Sequence, residues 1–155
     1  MATPAPATHD DVDLDPPVDL GELSSNLGYM LRRAQLAVFE DFHRSLAGED
    51  IRTAQYSVLL VLRLNPGLRQ NQVCAALGIK TANFVPLLDG LERRGLAERR
   101  MMQQDRRARG LFLTQLGQTT LLRLETLVAE HEARMAALIG DDDRTRLIEL
   151  LNRLV

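Results

Sequence analysis

The stretch that most limits the possible folds runs from Ile79 to Thr114, IKTANFVPLLDGLERRGLAERRMMQQDRRARGLFLT. Phe84, Leu87, Leu88 and Leu91 lie three, four and seven positions apart, a spacing that puts apolar side chains on one face of a helix. Gly95 ends that helix. Arg93 and Arg94 just before it place positive charge at the negative end of the helix dipole, so cap and charge agree on the boundary. Beyond the glycine, residues 96–102 and 109–113 pair as a hairpin around a polar, basic loop at 103–108.

The elements before this stretch complete a helix-turn-helix. Thr53 is a plausible cap for a helix over 54–64, whose buried face is Tyr56, Val58, Leu59, Leu60 and Leu62. Asn65, Pro66 and Gly67 form a turn. A short helix follows over about 70–77, with Val73, Cys74 and Leu77 inward and Gly78 closing it. Two short helices joined by a Gly-containing turn, the second followed by a strand pair, make a winged helix-turn-helix over about 53–114. The fold class is mainly α, with a two-stranded β wing.

The flanking segments are helical and too apolar to stand alone. Over about 20–47, Leu23, Leu27, Met30, Leu31, Ala34, Leu36, Val38, Phe39, Phe42 and Leu46 cover more than one stripe, so this helix needs a second surface such as another subunit. Thr114 caps a long segment that Gly140 interrupts. Asp141, Asp142 and Asp143 then precede a last helix over 144–154, where negative charge suits the helix N-terminus. Its row Leu147, Ile148, Leu150, Leu151 and Leu154 also calls for a partner.

Residues 1–19 hold Pro4, Pro6, Pro16, Pro17 and five aspartates without a Lys or Arg, the composition of a disordered acidic tail. The tail hides a charge asymmetry. The formal net charge is -2, yet between Arg69 and Arg109 nine basic residues stand against four acidic ones. Local positive charge within an acidic protein suits phosphate binding by one face, and a solvated arginine-rich surface accounts for the same count.

Other chemistries find little support. No apolar run reaches the roughly 20 residues needed to span a bilayer, so a cytoplasmic protein without membrane contact is expected. Cys74, the only cysteine, reads as a small core hydrophobe. His9, His43 and His131 are too scattered for a metal site, and no Gly-rich phosphate loop or nucleophile motif occurs. Neither a metal, a cofactor nor an enzymatic activity is expected.

Four runs resemble the MarR family of transcriptional regulators: LGYMLRRAQLAVFEDF at 27–42, AQYSVLLVLRLNPGLRQNQVCAALGI at 54–79, LLDGLERRGLAERR at 87–100 and DRRARGLFLT at 105–114. The last is similar to the family's wing signature, an Asp, an Arg two positions on, then Leu-x-Leu-Thr. The resemblance covers nearly all of the chain after residue 20. It implies a homodimer, intertwined through dimerisation helices over about 20–47 and 115–155, that binds pseudo-palindromic double-stranded DNA, usually as a repressor, and is released by a small aromatic effector. A winged-helix dimer serving only protein interaction is the competing reading.

Within that expectation Thr81 and Asn83 are placed to reach base edges, with Asn suited to adenine, and Lys80 to reach phosphate. Thr81 also serves as a helix cap. Arg93 is a phosphate contact or a solvated charge. Gln70 and Asn71, opening the helix before, join the DNA-facing set. At the wing tip Arg106 and Arg107 are the leading DNA contacts, Asp105 braces the wing, and Arg109 is the alternative bracing partner. Pro86 departs from the pattern, because a proline inside a helix removes a hydrogen bond and costs about 3 kcal/mol if unrelieved. The helix either starts later than Thr81 or kinks there. For the effector, Tyr29, Arg32, His43 and Tyr56 would line an aromatic pocket with a cation, suited to an aromatic carboxylate or its thioester. Packing and dimer salt bridges explain most of those residues equally well.

Overall fold

The computed structural model describes residues 18–102 and 109–155. Asp105, Arg106 and Arg107, and residues 1–17 of the acidic tail, lie outside the described residues. The chain divides into two compact units, residues 1–34 and 35–155. The elements in order are a 3-10 turn Gly21–Ser25, α1 Leu27–Ser45, α2 Thr53–Leu64, α3 Gln70–Leu77, α4 Thr81–Arg93, β1 Ala97–Met101, β2 Arg109–Leu113, α5 Gln115–Ile139 and α6 Asp141–Leu151.

Several boundaries differ from the sequence reading, each for a local reason. The helix expected over 20–47 is broken at Asn26, whose backbone is extended and whose side chain accepts the Tyr29 N–H at 3.1 Å, so α1 starts afresh from a cap. Thr53 and Thr81 are not caps but the first residues of their helices. The carbonyls of Arg52 and Lys80 accept the first helical bonds, from Tyr56 at 3.0 Å and Phe84 at 3.0 Å, which puts the extended cap one residue earlier. The last helix begins at Asp141 rather than 144, because Gly140 at φ 85° reverses the chain and its carbonyl accepts from Arg144 at 2.9 Å.

Other expectations hold. Gly95, at φ 67°, donates to Glu92 while Leu96 reaches back to Leu91 at 2.9 Å, the two bonds of a left-handed helix end. The Thr114 hydroxyl accepts from Gly117 N at 2.9 Å and donates to the Gly95 carbonyl at 2.5 Å, so one side chain starts α5 and closes the wing base. Gly117 itself packs where no side chain fits, since a Cβ there would lie 2.0 Å from the Leu96 carbonyl oxygen. The helix through Pro86 runs unbroken from Thr81 and does not start late; Ala82, whose carbonyl loses its partner, and Pro86 are both exposed.

The core of the second unit is built from Val58, Leu59 and Leu62 of α2, Val73 of α3, Phe84, Leu88 and Leu91 of α4, Leu111 of β2 and Leu121 and Leu124 of α5, all essentially inaccessible to solvent. Cys74 is part of this core. Leu36, Val38 and Phe39 of α1, Leu138 and Ile139 of α5, and Leu147, Ile148 and Leu150 of α6 remain exposed. Among the described residues no helix is long and apolar enough to cross a membrane.

A polar knot ties α1 to α5. His131, 1% exposed, shares a hydrogen of Nδ1 with Asp41 Oδ2 at 2.7 Å, Arg134 donates to the same oxygen at 3.0 Å and to Ser45 Oγ at 2.5 Å, and Arg44 donates to the other oxygen at 2.9 Å. The Phe42 ring meets His131 edge-on at 5.4 Å. The bond to His131, then those from Arg44 and Arg134, hold the Asp41 carboxyl well below the usual carboxylate range, against the opposing effect of desolvation. A lowered carboxylate contributes stability above its unfolded pKa and loses it as pH falls toward the folded value. Asp41→Asn is therefore expected to lower stability at pH 7, and the deficit relative to the wild type should shrink once pH drops below about 4. Urea denaturation at pH 7 and pH 3 measures both, and an equal deficit at the two pH values would count against this assignment.

Candidate nucleic-acid interface

The burial of one face of α4 dictates what the other presents. Phe84, Leu88 and Leu91 are fully buried, so Lys80, Thr81, Asn83 and Arg93 are left exposed along the outer side. The start of α3 carries half-buried Gln70 and exposed Asn71. The Arg69 N–H, at the cap of α3, donates to Gln72 Oε1 at 2.8 Å, a side-chain bond that fixes where that helix begins. The structure thus brings together polar donors at the N-terminal ends of two consecutive helices, the positions from which a helix seated in a major groove reaches base edges.

The wing follows directly. Strands β1 and β2 pair antiparallel, Ala97 with Leu113 through Met101 with Arg109. Its base is extended by a third piece of backbone, with Gly67 N donating to Leu111 O and Leu111 N to Leu68 O, each at 2.9 Å. Gly110 has to be glycine for this approach, since a Cβ there would fall 2.5 Å from Met102 Sδ and 2.9 Å from Gly67 O. Arg100 lies over the Phe112 ring at 5.0 Å and pairs with Glu98. Arg109 is exposed at the start of β2.

A brace that the sequence reading missed joins wing to helix. Arg99 of β1 donates through Nη2 to Asp89 Oδ1 at 2.9 Å and through Nη1 to the Glu92 carboxylate, while its backbone N–H donates to Glu92 Oε1 at 3.0 Å. The three side chains are half-buried. One arginine fork therefore holds two carboxylates three residues apart on α4, and the strand cannot pivot without breaking charged hydrogen bonds. The signal was available: Asp89 and Glu92 share a helical face, and Arg99 is the first basic residue after Gly95.

The expected effector residues divide between the two units. Tyr29, half-buried, and Arg32, exposed, belong to the first unit, on the early part of α1. In the second, the Phe42 ring centroid is 6.4 and 5.7 Å from those of His43 and Tyr56. His43 Nε2 is 3.3 Å from the Thr53 hydroxyl. Burial, followed by the charge of Glu125, pushes the half-buried Tyr56 phenol up, so it stays protonated and a donor at neutral pH. Glu125 is gripped in turn by Arg63, at 2.5 and 2.8 Å.

The fold agrees with that of known proteins. The MarR family model matches residues 49–108. A putative transcriptional regulatory protein for the hcr operon of Thauera aromatica is 34% identical over 135 residues, which cover 86% of this chain and 81% of that protein. The chain belongs to the MarR family. Its function at that level is regulation of transcription. Among solved structures, the transcriptional repressor CouR bound to a 23-mer DNA duplex is 46% identical, with a TM-score of 0.84 over 90% of this chain and 99% of that one. CouR bound to p-coumaroyl-CoA is 45% identical, with a TM-score of 0.83 over 89% and 97% of the two chains.

Arg99→Met removes the fork while keeping the aliphatic stem. It is expected to destabilise this MarR-family chain by about 1–2 kcal/mol, the range for partly screened charged hydrogen bonds. Amide exchange should accelerate at β1 and β2 more than in α2 and α5. Hydrogen exchange monitored by NMR measures the contrast, and uniform acceleration would deny the brace a local role.

Proposed function

We propose that this chain is a homodimeric, sequence-specific DNA-binding repressor, released from a pseudo-palindromic operator by a small aromatic ligand. The observation that carries the reading is the 46% identity and matching fold shared with CouR bound to a DNA duplex. In this chain Thr81 and Asn83 would read base edges from the start of α4, with Lys80, Gln70, Asn71 and Arg93 on phosphate or neighbouring polar groups. Arg106 and Arg107 would extend the contact from the wing tip, with Asp105 or Arg109 orienting it. The exposed apolar rows on α1, α5 and α6 support a second copy as partner, and a two-fold dimer sets two reading helices about 34 Å apart, one DNA turn.

The effector reading is supported by CouR's complex with p-coumaroyl-CoA and by the aromatic group Phe42, His43 and Tyr56; Tyr29 and Arg32 are further residues proposed to contact the ligand. Tyr56 would offer its phenol as a donor to a ligand oxygen, and Arg32 its charge to an anionic group.

Fluorescence anisotropy with the promoter DNA beside the protein's own gene tests the reading. The wild type should bind specifically, with affinity falling steeply as salt rises. Arg106→Ala with Arg107→Ala should weaken binding roughly tenfold or more and flatten the slope of log K against log salt by about 2 to 4, one unit per lost phosphate contact in each subunit. p-Coumaroyl-CoA should release the DNA. A folded dimer that retards no genomic fragment would favour the protein-interaction alternative instead.

A further inference from the structure

Between the N-terminus of α2 and the flank of α4 lies a groove of about 590 Å³, with Arg52 and Gln55 on one wall and Asn83, Gly90 and Arg93 on the other. Gly90 leaves a bare patch in the middle of α4. The point its Cβ would occupy is 3.8 Å from Arg93 Nη2 and 3.8 Å from Gln55 Nε2, so donors from two helices converge on one spot. The orientation of Gln55 is set by its other atom: Oε1 accepts the Arg52 N–H at 2.9 Å, which leaves the amide NH2 turned to the groove.

The charges in this groove are unspent. Among the described residues the Arg52 and Arg93 guanidinium groups have no hydrogen-bond or ion-pair partner, whereas Arg63, Arg99, Arg123 and Arg134 are each engaged by a carboxylate. Arg94 holds the rim, donating to the Asp50 and Glu49 carbonyls at 2.6 and 3.1 Å. Among the described residues the one carboxylate lining the groove, Asp50, is fully exposed at that rim and 3.9 Å from Arg94. Pro86 and Leu87 supply a flat apolar floor. Donors without acceptors select an anion. Three donor groups, Arg52, Gln55 and Arg93, suit an oxyanion, and the space and floor exceed what a bare phosphate fills.

We propose that this groove binds a small organic phosphate, its oxyanion over Gly90 between Arg52, Gln55 and Arg93, and its apolar body against Pro86 and Leu87. The site is separate from the aromatic group around Phe42. Because Asn83 and Arg93 also belong to the DNA-facing set, an occupant here competes with operator directly; that consequence rests on the DNA-binding reading, while the site itself does not.

Phenyl phosphate titrated into the full chain, followed by ¹⁵N NMR at the Gly90 amide and the Gln55 side-chain NH2, tests it. Saturable shifts at both are expected, with phenol inactive and inorganic phosphate weaker. Arg52→Ala with Arg93→Ala should reduce affinity roughly tenfold or more, as loss of two charge-assisted donors requires. Gln55→Glu keeps the acceptor for the Arg52 N–H but sets a negative charge in place of the donor, so it should weaken binding in a chain that melts as the wild type does. A folded chain showing no saturable shift at Gly90 and Gln55 overturns the site. So does loss of operator affinity in the arginine double variant when the wild type ignores phenyl phosphate, because the groove then holds a DNA backbone phosphate. Phenyl phosphate binding in a chain that binds no DNA upholds the site and removes only the competition.

Discussion

Everything on the candidate DNA-facing surface depends on the burial of Phe84, Leu88 and Leu91. These three side chains fix the rotation of α4 about its axis, because turning the helix by even one residue would expose a fully buried aromatic or leucine at a cost of about 1.5–3 kcal/mol each. Once the apolar face is inward, Thr81, Asn83 and Arg93 have nowhere to go but out, and Gly90 is left facing the N-terminus of α2. The exposed residues contribute little to the packing that positions them.

The wing inherits its position from the same helix. Gly95 turns the chain, Leu96 bonds back to Leu91, Thr114 closes over the Gly95 carbonyl, and Arg99 grips Asp89 and Glu92. Gly67 and Leu68 add a third backbone rung at Leu111. Helix and wing therefore move as one piece, which is what a two-point contact with DNA needs. The Asp41 and His131 knot has a different character: a polar junction between α1 and α5, where geometry is specified by hydrogen bonds rather than by shape alone.

Much of this was legible in local sequence. The periodicity of 84–91, the glycines at 78, 95 and 140 and the Thr114 cap each report on neighbours within a turn or two of chain, and the elements follow them closely. Family resemblance through the wing signature pointed to the regulator class that relatives share. What escaped was longer in range or finer in scale. Thr53 and Thr81 looked like caps because their residue type favours that position, yet the first helical bonds begin one residue earlier. The Arg99 brace was not foreseen, because it reaches seven and ten residues back onto α4 for its partners.

The sequence by itself determined the helices, the hairpin, the surfeit of apolar residues on the terminal helices and the local excess of arginine, because each is a matter of spacing or composition along one segment. Only the tertiary structure decided which arginines are spent in ion pairs and which are free, that His131 belongs with Asp41 ninety residues away, and that Gln55 and Arg93 meet over Gly90. The reason is physical. Helix periodicity is written in neighbours three and four positions apart, whereas a charge's partner is chosen by the packing of elements distant in sequence, and no local pattern records that choice.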